Sequence, residues 1–213
     1  MEQIIQYLIY LHAFLGGIGL LTGAVSIVSK KGGFLHVKSG KTFSVTMIGS
    51  ALLSLFIAVM PSHENLFLFL IGVFTIYLVL AGNRALTLRY PKKQEANFTD
   101  KGISGAMLLG SVAMLLVGGY GVLNGLANGV LFLFFGVFGI ILTVTDFNNF
   151  RKFKEDKNIW LKSHIGRIVG ALIASVTAFL VAGLNFKNII AWTVPTIAGT
   201  IFIVFWTRKV AKR

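Results

Sequence analysis

Residues 66–86 read LFLFLIGVFTIYLVLAGNRAL, and the first charged side chain in this stretch is Arg84. A transmembrane helix needs about 20 consecutive, predominantly apolar residues. Runs of similar length recur along the chain, so the sequence predicts seven membrane-spanning helices. We expect the spans at residues 4–28, 42–60, 66–86, 103–123, 130–147, 164–184 and 189–207.

The composition agrees with a membrane protein. Of the 213 residues, 55% are hydrophobic and 13% are charged, and the mean hydropathy is +0.81. An ordinary soluble domain has about 25% charged residues. We therefore expect an all-α integral membrane protein, a seven-transmembrane-helix bundle forming one domain over residues 1–213. The loops between the spans leave no room for a soluble catalytic domain.

The distribution of the basic residues behind the net charge of +13 predicts the orientation of the spans. Of the 20 lysines and arginines, only Lys187 lies on the side of the N-terminus, and the rest lie on the opposite side. Cytoplasmic loops carry an excess of Lys and Arg, which predicts an outside N-terminus and a cytoplasmic C-terminus. The basic side is then expected to attract anionic lipid headgroups, and the charge is not a sign of nucleic-acid binding. Short loops favour a bacterial inner (plasma) membrane.

Two further patterns concern packing and chemistry. His12, Gly16, Gly19, Gly23 and Ser26 are spaced by three or four residues, so they share one helix face that we expect to pack against another helix. The chain has no cysteine, which excludes disulfides, thiolate metal sites and iron–sulfur clusters. Self-association into a homo-oligomer stays open.

The four histidines divide into two pairs, and this division motivates the leading hypothesis. His12 and His63 fall toward the outside, whereas His36 and His164 fall toward the cytoplasm. Haem bound by two axial histidines at each level would carry electrons across the bilayer. The sequence thus favours membrane redox with haem b as the cofactor. Of the four, only His12 is expected clearly inside a helix, and His36 and His63 are expected in loops.

A second hypothesis is a transporter or a binder of small ligands. Pro195 removes a backbone donor and is expected to kink the seventh helix. An outer-half cavity would then be lined by His12, Trp192, Thr193 and Thr196, with His12 as a proton-sensitive group.

A third hypothesis places a metal or phosphate site at the cytoplasmic face. Alternatively, the protein is a non-catalytic membrane subunit. Arg84 and Asp146 lie at matching depths with opposite charges, so they are expected to pair or to reach the headgroups. Arg167 is expected to extend toward the headgroups, beside His164 on one helix face. His36 would join this inner-face cluster. No motif with preformed zinc-ligand spacing occurs, so the sequence assigns no metal ligand, no catalytic residue and no enzymatic activity.

Several short motifs occur in a fixed order along the chain. They are His12, Lys31-Gly32-Gly33 with His36, Gly82-Asn83-Arg84, His164-Ile165-Gly166-Arg167, and Trp192 with Pro195. Through these motifs the chain resembles a family of small bacterial multi-pass membrane proteins of unknown function. The resemblance implies a bacterial membrane location and marks His12, His36, Arg84, His164 and Arg167 for testing, but it implies no activity.

Overall fold

The computed structural model of the protein describes residues 2–93, 95–126, 128–186 and 188–212. Within these ranges it contains seven α-helices and no β-strand. All seven are long and apolar enough to cross a membrane, which confirms the expected all-helical, multi-pass class. The helices are α1 (Glu2–Val28), α2 (Phe34–Ile57), α3 (Leu66–Ala85), α4 (Phe98–Leu123), α5 (Gly129–Lys152), α6 (Ile159–Ala178, continued by a π-helical segment, Phe179–Gly183) and α7 (Ile189–Ala211).

The contacts divide the chain into two compact units. The first unit comprises Met1–Val79 and Val169–Ile201, and the second comprises Leu80–Ile168 and Phe202–Arg213. Helices α1 and α2 belong to the first unit, and α4 and α5 belong to the second. Helices α3, α6 and α7 contribute residues to both.

Three helices begin at least five residues earlier than the apolar runs predict, and α2 and α6 are two of them. α2 starts at Phe34 rather than at residue 42, and α6 starts at Ile159 rather than at residue 164. A run of apolar residues marks only the apolar part of a helix, and polar side chains can extend it. In α2, for example, Ser39 Oγ donates to Leu35 O at 2.7 Å, within the same helix. The expectation that His36 lies in a loop is therefore wrong, because it lies in the first turn of α2.

The start of α4 is also earlier than predicted, and a side-chain cap explains it. Asn97 Oδ1 accepts a hydrogen bond from Asp100 N at 3.1 Å, and Asp100 Oδ2 accepts one from Asn97 N at 2.9 Å. Such a reciprocal capping box satisfies two backbone donors that a helix start otherwise leaves without partners. The helix therefore begins at Phe98, and Asp100 lies in its first turn.

In the first unit, the small-residue face of α1 packs against α2. A Cβ atom added at Gly19 would lie 2.4 Å from Met47 Cε, and one at Gly23 would lie 3.0 Å from Phe43 Cδ2. Both glycines are buried, so no larger side chain fits without a shift of its neighbours. The expected packing role of this face is confirmed.

In the second unit, α4 and α5 approach each other even more closely. A Cβ at Gly139 would lie 2.0 Å from Ser111 Oγ, and one at Gly129 would lie 2.6 Å from a backbone nitrogen of α4. Ser111 and Thr143 have no exposed surface. Each of their hydroxyls donates to a carbonyl of its own helix. Small and hydroxylated residues thus let the two backbones meet, as is common between helices in lipid.

Candidate functional site

The first unit contains a cavity of about 620 Å³. Ligand pockets in proteins range from about 300 to 1,000 Å³ and are mostly apolar, with a few placed polar groups. The side chains around this cavity fit that description, since most of them are apolar. They come from α1, α2, α3, the α2–α3 connection and the end of α6. The polar ones are His12, Ser50, Ser54, His63, Asn65, Thr75 and Ser175.

The hydroxyl groups of this set are bonded to protein carbonyls. Ser54 Oγ donates to Leu68 O at 3.2 Å, linking α2 to α3. Thr75 Oγ1 and Ser175 Oγ donate to carbonyls one turn earlier in their own helices, at 2.8 Å and 2.9 Å. A hydroxyl has one proton to donate. The hydroxyl protons of these three side chains are therefore already used in hydrogen bonds within the protein.

His12 and Ser50 connect α1 to α2 through two hydrogen bonds. His12 Nδ1 lies 2.8 Å from Ser50 O, and Ser50 Oγ donates to His12 O at 3.0 Å. A carbonyl oxygen can only accept, so the short contact requires a proton on Nδ1. In the neutral ring the other nitrogen, Nε2, is then an acceptor. Both ring contacts involve Nδ1, which leaves Nε2 as the ring's acceptor atom.

The same arrangement recurs at the other end of this helix pair. His36 Nδ1 on α2 lies 3.0 Å from Ser26 O and 3.1 Å from Ser26 Oγ on α1. Fourteen residues separate His12 from Ser26, and fourteen separate His36 from Ser50. Each helix of the pair therefore supplies one histidine and, fourteen residues later, the serine that contacts the histidine of the other helix. His36 does not belong to the residues that line the cavity.

A lysine distinguishes the His36 end from the His12 end. Lys31, in the α1–α2 connection, donates from Nζ to Ser26 O at 3.0 Å and also to Ile27 O. A lysine at this place satisfies carbonyls that the end of α1 leaves without helical partners. Burial lowers the pKa of Lys31 below its ordinary value, because desolvation disfavours the ammonium.

His63 lies in the α2–α3 connection, as the sequence predicts, and lines the cavity together with His12. The two members of the predicted outer pair thus border one space. His63 Nε2, however, lies 2.9 Å from Glu2 Oε1. Of the predicted inner pair, His36 belongs to the first unit and His164 to the second. The pairing of His36 with His164 stays a prediction.

The end of α6 contributes an unusual backbone to the cavity wall. Phe179–Gly183 is π-helical, and Leu184 N donates to Phe179 O at 2.8 Å. Phe179, Ala182 and Gly183 line the cavity. Short π-helical segments are rare in proteins and are frequent at functional sites. Nothing in the sequence distinguished this segment from the rest of the predicted sixth span.

The α7 residues of the second hypothesis lie elsewhere in the first unit. Among the described residues that line the cavity, none comes from α7. Thr193 Oγ1 and Thr196 Oγ1 donate to carbonyls one turn earlier in α7, at 2.9 Å and 3.1 Å. Trp192 stacks at a tilt on Phe67, with ring centroids 4.9 Å apart. The structure therefore assigns His12 to the cavity but not its three expected neighbours.

In the second unit, Asp146 is bound by Arg167 rather than by Arg84. Arg167 Nη2 and Nε donate to Asp146 Oδ1 at 2.6 Å and 3.1 Å. Arg167 Nη2 also donates to Leu142 O at 2.7 Å, and Ser104 Oγ donates to Asp146 Oδ2 at 2.9 Å. The charged side chains are each 7% exposed. The expectation that Arg167 extends toward the headgroups is wrong, because α5 offers it a buried carboxylate and a carbonyl.

Arg84 pairs with Asp100 at the start of α4. Arg84 Nε donates to Asp100 Oδ1 at 2.8 Å, and Lys93 Nζ donates to Asp100 Oδ2. Asp100 is 2% exposed, so this carboxylate is enclosed by two cations and the cap of α4. The expected Arg84–Asp146 pair is therefore wrong. The missed partner was visible only as an acidic residue three positions after Asn97, which is the signature of a capping box.

His164 contacts α3 in the second unit. Its Nδ1 donates to Gly82 O at 2.9 Å. A Cβ at Gly82 would lie 3.1 Å from Arg167 Cβ, so the glycine permits α3 and α6 to approach. Of the predicted inner-face cluster, the structure joins Asp146 directly to Arg167. Arg84 and His164 bind other partners. Among the described residues, no three His, Asp or Glu side chains are grouped closely enough to hold a metal ion together.

No family model, no curated protein and no solved structure matches the chain. The multi-pass helical architecture and the cavity of the first unit therefore carry the functional interpretation.

Proposed function

We propose that the protein is a membrane protein that binds a small, largely apolar molecule in the cavity of the first unit. One observation carries this proposal: an apolar cavity of about 620 Å³ has His12 in its wall. His12 lies about 15 Å along α1 from Glu2, at 1.5 Å per residue. An ionisable residue so far inside a span is costly and marks a functional site by default.

The experiment fills the cavity and measures binding. Gly17 lines the cavity, and a Cβ there would meet no atom within 4 Å. Gly17→Phe should therefore occupy the space without moving α1. Gly110→Phe is the matched control, because Gly110 on α4 is equally open and belongs to the second unit.

The assay is equilibrium binding of radiolabelled 2-methoxynaphthalene and 2-naphthol to the protein in lipid nanodiscs. Excess unlabelled probe defines the saturable component, and empty nanodiscs report partition into lipid. We expect saturable binding to wild type and to Gly110→Phe, and its loss in Gly17→Phe. Absence of saturable binding of both probes to wild type would contradict the proposal.

Bis-histidine haem ligation is a second proposal, and it is favoured by His12 and His63 lining the same cavity. His12 has the tautomer that a haem ligand needs, since Nδ1 donates to a carbonyl and Nε2 carries the lone pair that would bind iron. His63 would have to release Nε2 from Glu2. An absorption spectrum after expression with added haem tests the proposal, and a spectrum without a Soret band would end it.

We further propose that all seven helices cross a bacterial inner membrane with the N-terminus outside. The one-sided distribution of Lys and Arg supports this orientation. Because the chain has no cysteine, single cysteines can be labelled without background. In intact cells, an impermeant maleimide should label Glu64→Cys, and it should label Lys154→Cys only after permeabilisation. The reverse pattern would invert the topology, and a chain that fractionates with the outer membrane would contradict the location.

The basic side is also proposed to contact anionic headgroups. Nanodiscs with phosphatidylglycerol should raise the unfolding temperature relative to phosphatidylcholine, and added salt should reduce the difference. An unfolding temperature that is independent of lipid charge would contradict this contact. Association of several copies of the chain stays a prediction, to be tested by the mass of the solubilised protein.

A further inference from the structure

The cavity of the first unit has few polar atoms that a ligand could use. The hydroxyl protons of Ser50, Ser54, Thr75 and Ser175 are donated to carbonyls of the protein. A polar group that is buried beside an apolar ligand needs a partner, or its desolvation opposes binding. The functional groups of the ligand must therefore match the atoms that remain.

The oxygens of these hydroxyls keep lone pairs, so they can only accept a hydrogen bond from a ligand. Apart from the α2–α3 connection, which contributes His63 and Asn65, the other polar group of the wall is the ring of His12. Ser50 O holds the proton of the ring on Nδ1 at 2.8 Å. In the neutral ring, Nε2 then presents a lone pair and no proton. It can accept a hydrogen bond but cannot donate one. A ligand that offers only an acceptor, such as a ketone or an ether, would face this lone pair without a favourable contact.

The charge of the wall excludes another class of ligand. Among the described residues that line the cavity, none is Lys, Arg, Asp or Glu. Away from the contact between His63 and Glu2, a carboxylate or an ammonium ion would enter an apolar space without a counter-charge, and burial of an unpaired charge is strongly unfavourable. The ligand is therefore uncharged.

We propose that the cavity binds a membrane-soluble alcohol or phenol, whose apolar body fills the space and whose hydroxyl donates to His12 Nε2. The inference rests on the proposed function and adds the chemical class of the ligand. A hydroxyl is the smallest neutral group that supplies the missing proton. Its own oxygen is tolerated because an O–H group can donate while its lone pairs face weakly polar neighbours.

The test compares ligands that differ in the donor. 2-Naphthol and 2-methoxynaphthalene share the ring system and an oxygen, but only 2-naphthol donates a hydrogen bond. Naphthalene serves as a smaller analogue without oxygen. A net hydrogen bond contributes about 0.5–1.5 kcal/mol, so wild type should bind 2-naphthol about 2- to 12-fold more tightly than 2-methoxynaphthalene. The extra methyl group of the ether adds apolar surface and works against this preference.

Two variants connect the preference to Nε2. His12→Phe keeps a ring of similar size and removes the acceptor, so its affinities for 2-naphthol and 2-methoxynaphthalene should become equal. His36→Phe is the matched control, because it also removes a histidine–serine contact between α1 and α2 but lies outside the cavity wall. It should keep the preference of wild type.

The outcomes separate this inference from the proposed function. Equal saturable binding of 2-naphthol and 2-methoxynaphthalene to wild type overturns the hydroxyl inference and leaves the cavity as a ligand site. Absence of saturable binding of both 2-naphthol and 2-methoxynaphthalene to wild type overturns the proposed function itself. If His12→Phe does not fold, the comparison of 2-naphthol with 2-methoxynaphthalene in wild type still tests the hydroxyl inference. Naphthalene is the control for ligand size, because a preference caused by size alone would also favour naphthalene over 2-methoxynaphthalene. A preference that persists in His12→Phe shows that another group accepts the hydroxyl.

Discussion

The buried ion pair of the second unit allows a quantitative prediction. Arg167 and Asp146 are each 7% exposed, and the carboxylate accepts two hydrogen bonds from Arg167 and one from Ser104. Removal of one partner of a buried pair leaves an uncompensated charge and costs about 3–5 kcal/mol. Arg167→Met and Asp146→Leu should each lower the free energy of unfolding by that amount.

The double variant is expected to behave differently from the sum of its parts. With both charges replaced by apolar side chains of similar length, no buried charge remains, and such replacements are often neutral. Arg167→Met combined with Asp146→Leu should therefore recover most of the loss, although Leu142 O and Ser104 Oγ lose their partners. The expected coupling free energy is about 5–9 kcal/mol, which is the sum of the two single losses less about 1 kcal/mol for the stranded polar groups.

The assay is reversible unfolding in mixed micelles, followed by circular dichroism as the fraction of denaturing detergent rises. A second cycle on Lys162 and Asp156 is the control. Their Nζ–Oδ2 distance is 2.7 Å, but the side chains are 31% and 38% exposed, and exposed pairs contribute about 0–1 kcal/mol. If the two cycles gave equal coupling, or if Arg167→Met were as stable as wild type, the burial argument would be refuted.

Three further outcomes are expected. Gly139→Leu should lower the free energy of unfolding in the same assay by about 1–3 kcal/mol, because its Cβ would lie 2.0 Å from Ser111 Oγ. Gly110→Leu is the control and should leave the free energy of unfolding unchanged, because a Cβ there meets no atom within 4 Å. Burial acts to raise the pKa of Asp156, but hydrogen bonds from Lys162 and Asn158 outweigh it, and the pKa lies below its ordinary value. The pair therefore stabilises the fold above about pH 4 and loses this contribution as pH falls further, so the unfolding temperature of wild type should fall more steeply with acid than that of Asp156→Asn. Equal slopes would exclude this contribution. His36→Phe should lower the free energy of unfolding by about 1 kcal/mol through loss of one interhelical hydrogen bond. No change would show that another donor, such as water, replaces the His36 N–H group at Ser26 O.

The helices were predictable from the sequence because membrane spans depend on one property, the length of an apolar run. Their ends were less predictable, because they depend on individual hydrogen bonds. The span that was expected from residue 103 begins at Phe98 because Asn97 and Asp100 cap each other. α2 extends back to Phe34 through a stretch with two lysines. The pattern of apolar residues predicts neither the side-chain cap of α4 nor the polar first turns of α2.

The candidate site was predictable in part. The sequence predicts His12 as the one histidine clearly inside a helix, and the structure places it in the wall of a cavity. The other wall residues come from helices distant in sequence, such as Ser175 on α6, and one sequence without homologues cannot show which faces meet. The tautomer of His12 depends on one carbonyl contact across two helices. The spacing of residues in the sequence cannot predict such a contact, and so it cannot predict the tautomer.

The buried ion pairs change the interpretation of the positive charge. Orientation depends on the number of Lys and Arg residues in short loops at the time of insertion, before α4, α5 and α6 have packed. In the folded second unit, Arg84 and Lys93 bind Asp100, and Arg167 binds Asp146. These three cations count toward orientation, but the carboxylates of Asp100 and Asp146 neutralise two of their three charges within the protein. Attraction to anionic headgroups must then come from exposed residues such as Lys154, so replacing Lys154 should weaken the dependence on lipid charge, whereas replacing Arg167 should change stability instead.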